Sequence, residues 1–85
     1  MKIEVLGPGC ANCRKLEQDV NTALGELGIE AEVVKVTDLN KISSYGILMT
    51  PGLVINTKVY SSGKIPVMAT LKKWLQEEDR KQTRE

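Results

Sequence analysis

From Lys2 to Leu6, apolar Ile3 and Val5 alternate with charged Lys2 and Glu4, the period of a half-buried strand; Gly7-Pro8-Gly9 ends the run abruptly. From about Cys10 the spacing becomes helical. Leu16, Val20, Ala23, Leu24 and Leu27 fall on one face, and Gly28 stands where a helix closes in the left-handed conformation. Gly25 interrupts that helix at a cost of about 1 kcal/mol in propensity, too little to abolish it. Glu30 to Val36 reads as a second, β-branched strand, and its exposed Glu30, Glu32 and Lys35 suit a sheet edge. Thr37 or Asp38 caps a short helix with Leu39, Ile42 and Tyr45 on one side, stopped by Gly46. Leu53 to Asn56 and Lys58 to Tyr60 read as short strands joined by an Asn56-Thr57 turn, and Ser61-Ser62-Gly63 breaks the pattern. Pro66 opens a last helix whose stripe is Val67, Met68, Leu71, Trp74 and Leu75. No apolar residue anchors the chain beyond Leu75. One domain over 1–78 is therefore expected, followed by a charged, frayed tail over 79–85.

The predicted order is β-α-β-α-β-β-α. A right-handed crossover makes the first two strands parallel, and the short link between the last two makes them antiparallel. An α/β fold follows, with a mixed four-stranded sheet and helices on both faces.

Composition narrows the chemistry. The 85 residues carry a net charge of +1, which gives no electrostatic footprint for nucleic acid or an anionic membrane. No apolar run approaches the roughly 18 residues of a membrane span. Lys2, Glu4 and Gly7-Pro8-Gly9 break up any apolar core of a signal peptide, so a cytoplasmic monomer is expected. Histidine is absent, which removes Ser-His, Cys-His and imidazole-ligated metal sites. Tyr45, Tyr60 and Trp74 are too few for base-stacking platforms.

The cysteines are Cys10 and Cys13. For two cysteines in a chain of this length, chance gives the C-x-x-C spacing about one time in forty. Two inert core thiols are the plainer alternative. Against it, the pair sits in a glycine-rich turn entering a helix, not on an apolar stripe. With Cys10 near the N-cap and Cys13 one turn further in, the two side chains can approach disulfide distance. The unpaired N–H groups of the first turn, the helix dipole, Arg14 and Lys15 all favour a thiolate at Cys10. Its pKa is expected below the ~8.5 of a free thiol. Cys10 is then the nucleophile, and the less exposed Cys13 resolves the mixed disulfide.

Cys10-Ala11-Asn12-Cys13 after the first strand, Thr50-Pro51 before the third, and the element order together resemble the thioredoxin superfamily over nearly the whole chain. Met49-Thr50-Pro51-Gly52-Leu53-Val54-Ile55 and Ser62-Gly63-Lys64-Ile65-Pro66 look most like its small thioredoxin/glutaredoxin-like redox-active disulfide proteins. The resemblance implies a catalytic dithiol and a cis bond before Pro51; a strand-start proline is the other reading of that residue. In the cis form Thr50 would offer its backbone to an extended substrate beside Cys10, on a surface that includes Met49. The chain departs from the usual Trp-Cys-Gly-Pro-Cys of thioredoxins, so their reduction potential does not transfer. Ser61-Ser62-Gly63-Lys64 lacks the acid with which glutaredoxins hold the glutathione amine, which favours a protein partner.

Glu4 stands where thioredoxins carry a buried Asp that deprotonates the resolving cysteine. Buried beneath Cys13 it would accept that proton; as a solvated residue alternating with Ile3 and Val5 it would not, and the solvated reading is the favoured one. The expected function is a thiol-disulfide oxidoreductase that reduces protein disulfides, with a separate reductase as electron donor. The chain has no room for a flavin or nicotinamide domain, so no cofactor is expected. The alternative is a soft-metal carrier holding Cu(I) or Zn(II) through both thiolates. Pro8 occupies the position where such carriers have Met, and two ligands leave Zn(II) half coordinated.

Overall fold

A computed structural model describes residues 1–47 and 49–83. The element order is β1 (Lys2–Leu6), α1 (Ala11–Leu27), β2 (Glu32–Val36), α2 (Leu39–Ser44), β3 (Gly52–Ile55), β4 (Lys58–Ser62) and α3 (Met68–Thr83). The sheet runs β2-β1-β3-β4. β1 is parallel to β2 and antiparallel to β3, and β3 is antiparallel to β4. This is the mixed four-stranded α/β arrangement that the sequence order predicts.

Two apolar clusters sandwich the sheet. Ile3, Val5, Leu53 and Ile55 meet Leu16, Val20, Ala23 and Leu24 of α1 and Leu71 and Leu75 of α3. On the other face Leu6, Val36 and Val54 meet Ile42 of α2 and Ile47. α1 closes as predicted. Gly28 takes φ 68°, and the amides of Gly28 and Ile29 donate to the carbonyls of Gly25 and Leu24. Asp38, rather than Thr37, caps α2 by accepting from the Asn40 amide at 2.9 Å. No helix among the described residues is long and apolar enough to cross a membrane.

The structure corrects several expectations. β2 begins at Glu32 instead of Glu30, and β3 begins one residue earlier than expected, at Gly52. Leu39 is 66% exposed. The helix it opens has only six residues, and Ile42 is the buried one. The pattern does not break at Ser61. β4 continues to Ser62 because a bulge at Tyr60 lets Leu53 pair with Ser61 while Val54 pairs with Val59. The extra residue, Tyr60, reaches Glu78 and Trp74 of α3. α3 starts at Met68, not Pro66; the Val67 carbonyl accepts its first helical bond from Leu71, and Val67 is 69% exposed instead of lying on the stripe. The helix runs past the expected boundary at Glu78 to Thr83, and the last residues of the predicted tail, Arg84 and Glu85, lie outside the described residues.

The distal half of α3 is tied to the β3–β4 hairpin by one buried carboxylate. Glu78 is 3% exposed. It accepts hydrogen bonds from the Tyr60 hydroxyl, from Asn56 at 3.1 Å and from Lys81 at 3.3 Å, with Lys58 at 3.7 Å. Burial by itself would raise its pKa, but the bonds from Tyr60, Asn56 and Lys81 outweigh burial and hold it at about 2. Burial, then the bond to Glu78, push the Tyr60 phenol up to about 12. The Tyr60 ring also meets Trp74, with centroids 5.2 Å apart.

Candidate active site

The turn between β1 and α1 and the segment entering β3 meet at one end of the sheet. Cys10 is the N-cap of α1, with extended backbone at φ −68° and ψ 168°, and it is exposed. Its sulfur accepts the Cys13 amide at 3.2 Å, and its carbonyl accepts the Arg14 amide at 3.0 Å. A donor aimed at the sulfur, at the positive end of a 17-residue helix, stabilises a thiolate there. Cys13, one turn inside, is 5% exposed. The two sulfurs are joined in a disulfide, with Cα atoms 5.0 Å apart. No acidic residue occupies the first turn of α1 to oppose the thiolate.

Gly7 holds this arrangement together in a way that sequence reasoning missed. Its amide donates to the Val36 carbonyl at 2.9 Å, tying the end of β1 to β2. A Cβ on it would overlap the Cys13 sulfur and lie 3.6 Å from the Cβ of Thr50. The bare backbone of Gly7 is therefore what lets Cys13 and the Thr50 segment come together. The Gly-Pro-Gly run suggests only a strand breaker, and no local pattern reports a contact of this kind.

The Thr50-Pro51 peptide bond is cis. Thr50 is half-buried and Pro51 fully buried, while Met49 is 65% exposed. The Pro51 carbonyl accepts the Gly63 amide at 2.9 Å, and Gly63 packs under Met49. The exposed thioether gives the segment entering β3 an apolar rim.

Glu4 is buried, at 3% exposed, which overturns the solvated reading. It does not lie beneath Cys13. Alternation along β1 puts Glu4 with Leu6 on the α2 face, whereas Ile3 and Val5 face α1, from which Cys13 projects. Its partner is the Tyr45 hydroxyl, which donates to Glu4 Oε1 at 2.6 Å. That bond first, then burial and the carboxylate charge, raise the Tyr45 pKa above the ordinary tyrosine value. Among the described residues no group of three or more His, Cys, Asp or Glu gathers to hold a metal ion.

The profile of a family described as Thioredoxin domain matches residues 1–76. Among curated proteins, a thioredoxin of Methanocaldococcus jannaschii is 40% identical over 73 residues, covering 86% of this chain and 84% of the relative. A thioredoxin of Methanothermobacter thermautotrophicus is 37% identical over 75 residues, covering 88% of this chain and 97% of the relative.

Proposed function

The chain belongs to the thioredoxin family and is a protein disulfide oxidoreductase; from that premise we propose that it works as a reductase of protein disulfides, cycling between a Cys10/Cys13 dithiol and the disulfide. The observation that carries this reading is the N-cap geometry of Cys10, exposed and with the Cys13 amide on its sulfur. In the reduced protein the Cys10 thiolate attacks one sulfur of a substrate disulfide and expels the other as a thiolate. The Cys13 thiol loses its proton and attacks Cys10, releasing the second substrate thiol and closing the internal disulfide. Two electrons have then passed to the substrate, and a separate reductase restores the dithiol.

Met49, Thr50 and Pro51 are assigned to substrate holding. The exposure of Met49 and the position of Thr50 against Gly7 and Cys13 support that assignment. A substrate in extended conformation fits such a strand entrance, with backbone pairing supplying affinity and Met49 an adaptable apolar contact. Glu4 is not assigned the proton of Cys13, since its bonded partner is Tyr45 on the other face. A reducing compartment such as the cytoplasm suits a dithiol that must be kept reduced.

The test is reduction of insulin disulfides with dithiothreitol as the electron source. Wild-type protein should accelerate precipitation of the insulin B chain, and Cys10→Ser should abolish the acceleration. An unaccelerated wild-type reaction would overturn the reductase reading.

A further inference from the structure

On the flank between α1 and β2 a cavity of about 250 Å³ opens against Cys13, not Cys10. Val5, Gly7, Cys13, Arg14, Lys35 and Thr37 contribute to its wall. Its charged lining residues are both cations. Lys35 is brought there by the register that sets it beside Val5 of β1. Its ammonium lies 3.6 Å from the half-buried Glu17, one turn beyond Cys13 on α1, and its side chain is 59% exposed, so that pair is a weak surface contact that leaves the ammonium able to turn. The buried sulfur of the pair thus has its own small entrance, with a positive rim and an apolar floor.

We propose that this cavity admits a small thiol carrying a carboxylate to the Cys13 sulfur, giving the disulfide a second route of reduction that needs no protein reductase. The proposal rests on the dithiol reading above and names a small-molecule reductant for it. A protein thiol is too large for this volume, whereas a three- or four-carbon mercapto acid fits. Arg14 and Lys35 would pair with its carboxylate while the thiolate faces Cys13.

The chemistry balances. The small thiolate attacks the Cys13 sulfur, the Cys10–Cys13 bond breaks, and its electron pair leaves on Cys10. Cys10 is the better leaving group of the two, because the Cys13 amide and the helix N-terminus stabilise its thiolate. A second small thiolate attacks the sulfur of the first, freeing Cys13 as a thiolate that takes up a proton. Two small thiols are oxidised to one small disulfide, and the protein disulfide is reduced to the dithiol.

The experiment compares rates of reduction of the oxidised protein by 3-mercaptopropionate and by 2-mercaptoethanol, each expressed per thiolate, using acid-quenched thiol counting. Normalised to the same ratio on a small model disulfide, the carboxylate-bearing thiol should be faster by about two- to fivefold, the effect of one exposed ion pair. Lys35→Gln should remove most of that advantage, whereas Lys64→Gln, which deletes the same charge outside the cavity wall, should keep it. In Cys10→Ala protein, the ratio of iodoacetate to iodoacetamide alkylation at Cys13 should exceed the ratio at Cys10 in Cys13→Ala protein. Equal rates for the two thiols, equal effects of the two lysine variants, or no difference between the alkylation ratios would overturn the cavity assignment. If wild-type protein reduces insulin yet shows no thiol preference, the cavity assignment alone fails; if it reduces no protein disulfide, the reading beneath it fails as well.

Discussion

Ser61 carries a hydroxyl that is buried and finds no hydrogen-bond partner among the described protein atoms. The bulge at Tyr60 puts it there, by setting Ser61 opposite Leu53 of the core. An orphaned buried hydroxyl costs about 1–3 kcal/mol, and replacing it with hydrogen removes that cost for a very small cavity. Ser61→Ala should therefore raise stability in urea by about 1 kcal/mol. A loss of stability would mean that the hydroxyl has a partner in solution. At this scale the approach of Cys10 and Cys13 at the start of α1 is legible, because spacing and position relative to a helix start are local properties. The bulge is not, since only pairing with β3 defines it. Neither is the Glu4–Tyr45 bond, which spans 41 residues and joins two elements that touch only once the sheet has formed.

At the scale of elements, α1 and the β3–β4 hairpin each contain one residue that local backbone preference would not choose. Gly25 lies inside α1 with nothing within 4 Å of where a Cβ would stand. Thr57 holds φ at 70°, beside Asn56 at 51°, in a turn whose two central residues are both left-handed. Such turns favour Asn-Gly, and a β-branched residue fits them poorly. Gly25→Ala and Thr57→Gly should each stabilise the protein by roughly 0.5–1 kcal/mol, measured by chemical denaturation. A destabilised variant in either place would contradict the backbone argument there. The hairpin is also where α3 is fastened, through Glu78. A carboxyl whose folded pKa lies near 2, below its ordinary 4.5, adds stability above pH 4.5 that is lost as pH falls toward 2. Tyr60, raised from 10 to about 12, has the opposite sign: it adds stability below pH 10 that is lost as pH rises toward 12. The contribution of Glu78 is on the order of 3 kcal/mol. Urea midpoints of wild type and Glu78→Gln should converge between pH 4.5 and 2; parallel curves would remove Glu78 from this role. The sequence showed a helix with no apolar anchor past Leu75, because hydrophobic period registers only apolar burial. The distal turns of α3 are held by a carboxylate, and that pattern looks like solvent-facing charge until its partners are known.

For the molecule as a whole, the order of elements was readable because each strand and helix carries its own period and its own stop, at Gly7, Gly28 and Gly46. Topology then followed from crossover handedness and loop length. What the periods do not tell is which sheet face each strand residue meets, and so they leave Glu4 open between solvent and Cys13 when it belongs to the α2 side. The same arrangement of faces leaves Cys10 exposed at a helix end and Cys13 buried behind it against Gly7, with Thr50 on the other side of that glycine. The division of labour between the two sulfurs is the central claim, and trapping tests it directly. Reduced Cys13→Ser protein is incubated with a disulfide-bonded substrate protein, quenched in acid and mapped by mass spectrometry, with Cys10→Ser in parallel. The account predicts a mixed disulfide that accumulates on Cys10, is released by dithiothreitol, and has no counterpart in Cys10→Ser protein. An adduct that forms as readily on Cys13 in Cys10→Ser protein, or none on Cys10, would contradict it.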